Sequence, residues 1–162
     1  MTAPKPQRVE VLHGVNLNLL GERDPLHYGT LTLPGLEAQI ASWAAELHLD
    51  ASFFQTNAES AYVERLHALR GGAVAAVILN PGSWTHYAYA IHDALELTAL
   101  PAVEVHLSDV QSREPWRRLS VIGDLCLATY SGKGPEGYRL ALKRIREALD
   151  GDGDGDEAEV GP

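Results

Sequence analysis

The sequence predicts one doubly wound α/β domain, a five-stranded parallel sheet with helices on both faces. Three observations lead there. Runs of strand period alternate with runs of helical period along the whole body of the chain. One strand run, AVAAVIL at 73–79, is apolar throughout, as in a strand covered on both sides. The chain has 162 residues, 45% of them apolar, which suits one ordinary domain with an ample core.

The elements follow in order. RVEVLH at 8–13 is a short β-rich run and predicts the first strand. A polar loop follows, and then Leu36, Ile40, Trp43 and Leu47 recur at helical spacing. ASFFQ at 51–55 predicts the second strand. A helix over about 60–69 has Tyr62, Leu66 and Leu69 on one face. The apolar run 73–79 is the third strand, and a helix over about 86–97 follows it. AVEVH at 102–106 and LCLAT at 125–129 predict the fourth and fifth strands. The last helix covers about 135–149, with Tyr138, Leu142, Ile145 and Leu149 in register and Pro135 in its first turn. The outline is flavodoxin-like. The expected organisation is an N-terminal extension at 1–8, a catalytic α/β domain at 9–149 and a disordered acidic tail at 150–162.

Composition narrows the possible functions. The net charge is −9, and Asp150, Asp152, Asp154, Asp156, Glu157 and Glu159 supply six of those charges. Subtracting those six from −9 leaves −3 for the body, which argues against nucleic acid as the main partner. Cys126 is the single cysteine, so neither an internal disulfide nor a multi-cysteine metal site is expected. Residues 1–8 lack a signal-peptide core, and no apolar run approaches the roughly 18 residues of a membrane span. A cytoplasmic location without membrane contact is expected. The tail briefly imitates a calcium loop with Asp150, Asp152, Asp154 and Gly155, but Gly161 stands where the bidentate glutamate belongs.

In a sheet of this kind, ligands bind beyond the carboxyl ends of the strands. After the first strand comes a long loop at 13–29 that holds Asn16, Asn18, Arg23 and Tyr28, and long loops in compact domains are usually functional. The third strand run is followed by Asn80-Pro81-Gly82-Ser83-Trp84-Thr85-His86. The fourth carries Glu104, His106 and Ser108 at alternate positions, hence on one side, with Arg113 and Arg117 shortly after. All these groups fall at one sheet edge, and folding alone does not require such a collection there. Each residue also has a plain structural reading. Tyr28 could be a packing aromatic, and His106 a core histidine bonded to Glu104. Glu104 could equally be a surface position, Asn16 a loop cap, Arg23 a solvated partner of Asp24, and Asp93 an exposed helix charge.

The run HGVNLNLLGERDPLHYG resembles the first motif of the type II 3-dehydroquinate dehydratases, the type II dehydroquinases of the shikimate pathway. NPGSWTHYAYAIHDAL, PAVEVHLSDVQSREPWRRLS and GKGPEGYRLAL are similar to that family's later blocks, in the same order. The resemblance covers about 9–149. It implies a hydro-lyase that removes water from 3-dehydroquinate by anti elimination through an enolate, with no metal, Schiff base or other cofactor. Tyr28 matches the family's base. Ionising a phenol at neutral pH costs ~4 kcal/mol, and the matching arginines Arg23 and Arg113 favour the phenolate. Asn16 matches the residue that holds a water at the enolate oxygen. His106 matches the general acid, and Glu104 can orient it and keep it protonated.

Ser108 and the backbone of Leu107 match the substrate's carboxylate corner. Asn80, His86 and Arg117 match residues that bind its hydroxyls. Asp93 matches an acid that reaches a neighbouring subunit. The resemblance therefore also implies self-association, usually as a dodecamer of four trimers, and a lid at 21–28. His13, Val15, Ala58, Ser60 and His92 depart from the family pattern, and they touch loop shape and packing rather than proton transfer.

Three rival readings remain at the level of sequence. A small-ligand-binding flavodoxin-like module for FMN or phosphate needs a Gly/Ser/Thr-rich first loop, and this loop is rich in Asn, Leu and Arg. A receiver domain needs an aspartate where Asn80 ends the third strand. A catalytically silent oligomeric scaffold stays open through the substitutions. A serine hydrolase is set aside for want of a G-x-S-x-G elbow.

Overall fold

The computed structural model describes residues 2–151, apart from the side chain of Tyr28. Five parallel strands form one sheet: β1 (Gln7–His13), β2 (Leu49–Gln55), β3 (Ala76–Asn80), β4 (Ala102–His106) and β5 (Ala128–Ser131). Their order is β2-β1-β3-β4-β5, as expected for a flavodoxin-like domain. The helices are α1 (Pro25–Tyr28), α2 (Leu33–Glu46), α3 (Glu59–Ala68), α4 (Tyr89–Thr98) and α5 (Glu136–Gly151).

Strand alternation sorts the core into two halves. Val9, Val11, Ala76, Ile78, Val103 and Val105 face α2 and α5, where Leu36, Ile40, Tyr138 and Leu142 complete one cluster. Leu12, Val77, Leu79 and Ala102 face α3 and α4, where Tyr62, Leu66, Ile91 and Leu95 complete the other. Among the described residues no helix is long and apolar enough to cross a membrane.

Local boundaries differ from expectation in three places that bear on the site. Residues 82–86 form a 3-10 turn (Gly82–His86), and α4 starts only at Tyr89. That turn buries Trp84 in the core and leaves His86 at the sheet edge rather than on a helix face. The last strand lies three residues later than its apolar run suggests, because Gly123–Leu125 is a 3-10 turn. Leu125 and Cys126 then pack on the α3/α4 cluster instead of entering the sheet. Finally, α5 carries helix through Asp150 to Gly151. Asp150 of the calcium-like run thus lies in the helix, and the remainder of the expected tail, with Asp152, Asp154 and Gly155, lies outside the described residues.

The register brings the strand ends together. His13 is level with both Gln55 and Asn80, and His106 with Ser131. Gly14 and Gly82 let the two adjoining loops touch. A Cβ on Gly14 would run into the Pro81 carbonyl, and one on Gly82, which has φ +65°, would come within 2.9 Å of the Val15 carbonyl.

Candidate active site

The site is built round β4. Period two puts Glu104 and His106 on the α3/α4 face, and His106 Nε2 lies 2.7 Å from Glu104 Oε1. Glu104 is fully buried rather than a surface residue. Three hydroxyls from other segments converge on it. Thr85 donates to Oε1, Ser120 lies 2.7 Å from Oε2, and Thr129 lies 3.3 Å from Oε2. Burial alone would raise this carboxyl's pKa. The hydrogen bond and charge of His106, with the Thr85 and Ser120 hydroxyls, outweigh it and hold the group below the ordinary carboxylate range. A buried, ionised Glu104 thus fixes the ring of His106, and Nδ1 is the nitrogen left for proton exchange with a ligand.

His86 stands beside it. The two imidazoles stack with centroids 6.4 Å apart and planes 17° apart. His86 Nδ1–H donates to the Leu119 carbonyl at 2.6 Å, so Nε2 carries the lone pair of the neutral ring. Burial lowers its pKa against the pull of that carbonyl, and the positive fields of His106 and Arg117 lower it further. His86 is therefore neutral at pH 7, a hydrogen-bond acceptor suited to a substrate hydroxyl. Trp116 meets its ring edge-on at 5.2 Å, and the Arg117 guanidinium lies 4.1 Å above the Trp116 ring. Glu114 fixes Arg117 at 2.6 Å.

The cationic wall continues with Arg113, whose Nη1 donates to Ser108 Oγ at 3.3 Å. Ser108 is buried, and its carbonyl accepts from Ser131 Oγ and the Gly132 N–H. The Leu107 carbonyl accepts from the Gly134 N–H at 3.2 Å. A cavity of about 520 Å³ opens against this corner, bounded by Leu107, Ser108 and Gly132 below and by Leu26, His27 and Gly29 of the first loop above. Asp24 caps α1 through the Leu26 N–H. Arg23 is half-buried in the same loop. The Tyr28 backbone closes α1, and its side chain lies outside what is described.

Asn16 is held in a left-handed conformation with φ 69°. Its N–H donates to Asn57 Oδ1, which Gln55 also reaches, while Asn57 Nδ2 donates to Asn18. Asn80 is buried, donates to Tyr138 Oη and accepts from the Gly82 N–H. Asp93 is exposed on α4, and the contact it makes is with His92, whose other nitrogen faces Asp124. It is not drawn into the His106 cluster of its own chain. His92, Asp93 and Glu96 bring possible metal-ligand atoms within 4.8 Å of one another on the surface, where carboxylates already flank both His92 nitrogens.

Thr85, Ser120 and Thr129 escape sequence reading, and so do Trp116 and the Gln55–Asn57 clamp. Thr85 adjoins His86 in the loop after β3, but nothing in sequence links Ser120 or Thr129 to Glu104. His13, which departs from the family pattern, is fully buried between Phe53 and Tyr138. Neither of its ring nitrogens has a hydrogen-bond partner, although Glu37 Oε1 lies 3.3 Å from Nε2.

Fold and site together define a flavodoxin-like α/β enzyme with a carboxylate-held imidazole and a cationic wall at the strand ends. The comparisons with known proteins agree. A family model described as Dehydroquinase class II matches residues 7–146. The chain is 46% identical to 3-dehydroquinate dehydratase from Pelobacter propionicus over 143 residues, covering 88% of this chain and 96% of that one. It is also 46% identical to the Thermus thermophilus 3-dehydroquinate dehydratase, covering 91% and 99%. Its fold matches the crystal structure of the type II dehydroquinase from Propionibacterium acnes with a TM-score of 0.84 and 36% identity, covering 90% of this chain and 99% of that one. The chain belongs to the class II dehydroquinase family.

Proposed function

We propose that this enzyme is a 3-dehydroquinate dehydratase that eliminates water from 3-dehydroquinate to give 3-dehydroshikimate. The observation that carries the reading is the buried Glu104–His106 pair beside a neutral His86 and the Arg113–Ser108 corner. Tyr28, as phenolate, takes the proton next to the ketone and leaves an enolate. Arg23 and Arg113 favour that phenolate, and Asn16 holds a water against the enolate oxygen. His106 then delivers its Nδ1 proton to the departing hydroxyl, which leaves as water. One proton goes to Tyr28 and one comes from His106, so a proton transfer between them resets the site. No redox step or metal is needed.

Leu107 and Ser108 bind the substrate carboxylate, while Asn80, His86 and Arg117 bind its hydroxyls. The segment 21–28 closes as a lid over the cavity. The chains assemble as a homododecamer of four trimers, in which Asp93 reaches the site of a neighbouring subunit. The step belongs to the shikimate pathway, in the cytoplasm.

The test follows the ultraviolet absorbance of the conjugated product with pure protein and no added metal or cofactor. Turnover of 3-dehydroquinate is expected. Tyr28→Phe and Arg23→Ala are expected to lower kcat at least 10²-fold while leaving the assembly intact. Near-normal turnover by Tyr28→Phe overturns the choice of base. No turnover by well-folded wild-type protein overturns the enzyme reading in favour of a silent scaffold.

A further inference from the structure

Beyond the residues that touch the substrate, one short segment meets every part of the histidine cluster. The Leu119 carbonyl accepts from His86 Nδ1. The Ser120 hydroxyl lies 2.7 Å and 3.0 Å from the two oxygens of Glu104. The Val121 N–H donates to the Thr85 carbonyl at 2.7 Å. Three consecutive residues thus hold His86, the carboxylate behind His106, and the turn that carries both Thr85 and His86.

The hydroxyl of Ser120 has a fixed sense. The Gly123 N–H donates to Ser120 Oγ at 3.0 Å. That occupies a lone pair and leaves the hydroxyl hydrogen for Glu104. Thr85 Oγ1 lies 3.2 Å from Ser120 Oγ and sends its own hydrogen to Glu104. A relay therefore runs from Gly123 through Ser120 to Glu104 and on to His106. We infer that residues 119–121 form a positioning strap for both histidines, in which Ser120 keeps the Glu104–His106 pair in its working proton arrangement. This deepens the proposed dehydratase reading and rests on it for its catalytic consequence.

The surroundings of Glu104 leave this role to hydroxyls. The other titratable groups facing it are His106 from its own strand, His86 from the turn after β3, Tyr62 from α3 and Cys126 from the segment before β5. Burial keeps Tyr62 protonated and pushes the Cys126 thiol up to about 12. His86 is neutral, and Arg117 acts on it across Trp116. Apart from His106, then, no cation among these neighbours offsets the buried carboxylate, and its charge depends on the hydroxyls of Thr85, Ser120 and Thr129. Removing one raises the proton affinity of Glu104. At low pH the pair then loses its ionised form sooner.

The experiment compares wild type, Ser120→Ala and Ser120→Thr. In Ser120→Ala the acidic limb of the kcat profile for 3-dehydroquinate is expected to move up by about one pH unit, the scale of one charge-assisted hydrogen bond. On that limb, where wild type still holds Glu104 ionised and the variant does not, the loss falls on kcat, with KM within about threefold, because a positioning residue alters the proton state rather than substrate contacts. Ser120→Thr keeps the hydroxyl and restores the wild-type limb. In substrate-free protein the ring signals of His106, hydrogen-bonded to Glu104, report the protonation of that carboxyl in an NMR pH series, which shows the same shift and reads the strap without turnover.

A limb and a titration in Ser120→Ala that coincide with wild type overturn the strap. A titration shifted in Ser120→Ala, when wild type itself never turns over 3-dehydroquinate, upholds the strap and sinks the dehydratase reading. If Ser120→Ala fails to fold, Ser120→Cys puts a weaker donor at the same place, and the same titration decides.

Discussion

Glu104 shows how a residue's role depends on its surroundings. A lone buried carboxylate is costly, yet His106, Thr85 and Ser120 keep this one ionised, and Thr129 also turns toward it. That has a consequence for stability. The folded-state pKa of Glu104 lies below its unfolded value of about 4.3, so its contribution is present above that pH and is lost as pH falls through the folded value. His86 acts earlier. Its folded pKa is lowered, so below about 6.5 the unfolded chain takes up a proton that the folded ring refuses. These two groups therefore pull Tm down in two ranges, His86 below about pH 6.5 and Glu104 below about pH 4.3. His86→Gln should flatten the first of these falls and Glu104→Gln the second. His92, raised by Asp93 and Asp124, acts in the opposite sense over the same range, so the comparison with the variant decides: a pH 7 to pH 5 change in Tm that is identical in wild type and His86→Gln would contradict the lowered pKa of His86.

At the scale of elements, the site depends on how two loops approach each other. The loop after β1 and the loop after β3 meet at Gly14 and Gly82, where the backbones leave no room for a side chain. Gly14→Ala forces those loops apart, and overpacking against backbone costs about 3 kcal/mol. Chemical denaturation should record that loss, and any remaining folded protein should show weakened kcat because Asn16 and Asn80 shift together. A stability within about 0.5 kcal/mol of wild type would mean that the loops relax freely. The same elements mark where pattern reading stops. Alternation along AVEVH is enough to put Glu104 and His106 together, because side-chain direction in a strand has period two. The helical reading over 86–97 misses the 3-10 turn that carries His86. Burial of Trp84, a tertiary demand, overrides the helical pattern there.

At the scale of the whole molecule, the proposed assembly has a surface to act on. Tyr87, Tyr89, Trp116 and Leu119 are each more than half exposed and lie near one another in sequence, in two short stretches around the histidine cluster. Burial of such side chains favours association. Light scattering on the pure protein should give a mass of twelve chains, and Asp93→Ala should lower kcat without changing Tm. A monomer with full turnover would remove Asp93 from the proposed site. The net charge of −9 belongs largely to the acidic end of the chain, which carries six of those charges.

From the sequence alone came the doubly wound class, the edge at which chemistry gathers, the shared face of Glu104 and His106, and the family resemblance. These are local quantities, set by period and by the order of blocks along the chain. Only the tertiary structure decided which nitrogen of each histidine is engaged, that Glu104 is sealed from water, and that Thr85, Ser120 and Thr129 surround it. Those contacts join residues 19, 16 and 25 positions away from Glu104. No periodicity spans such gaps. They arise because the sheet order seats β4 between β3 and β5, and because residues 119–121 fold back across the turn that follows β3.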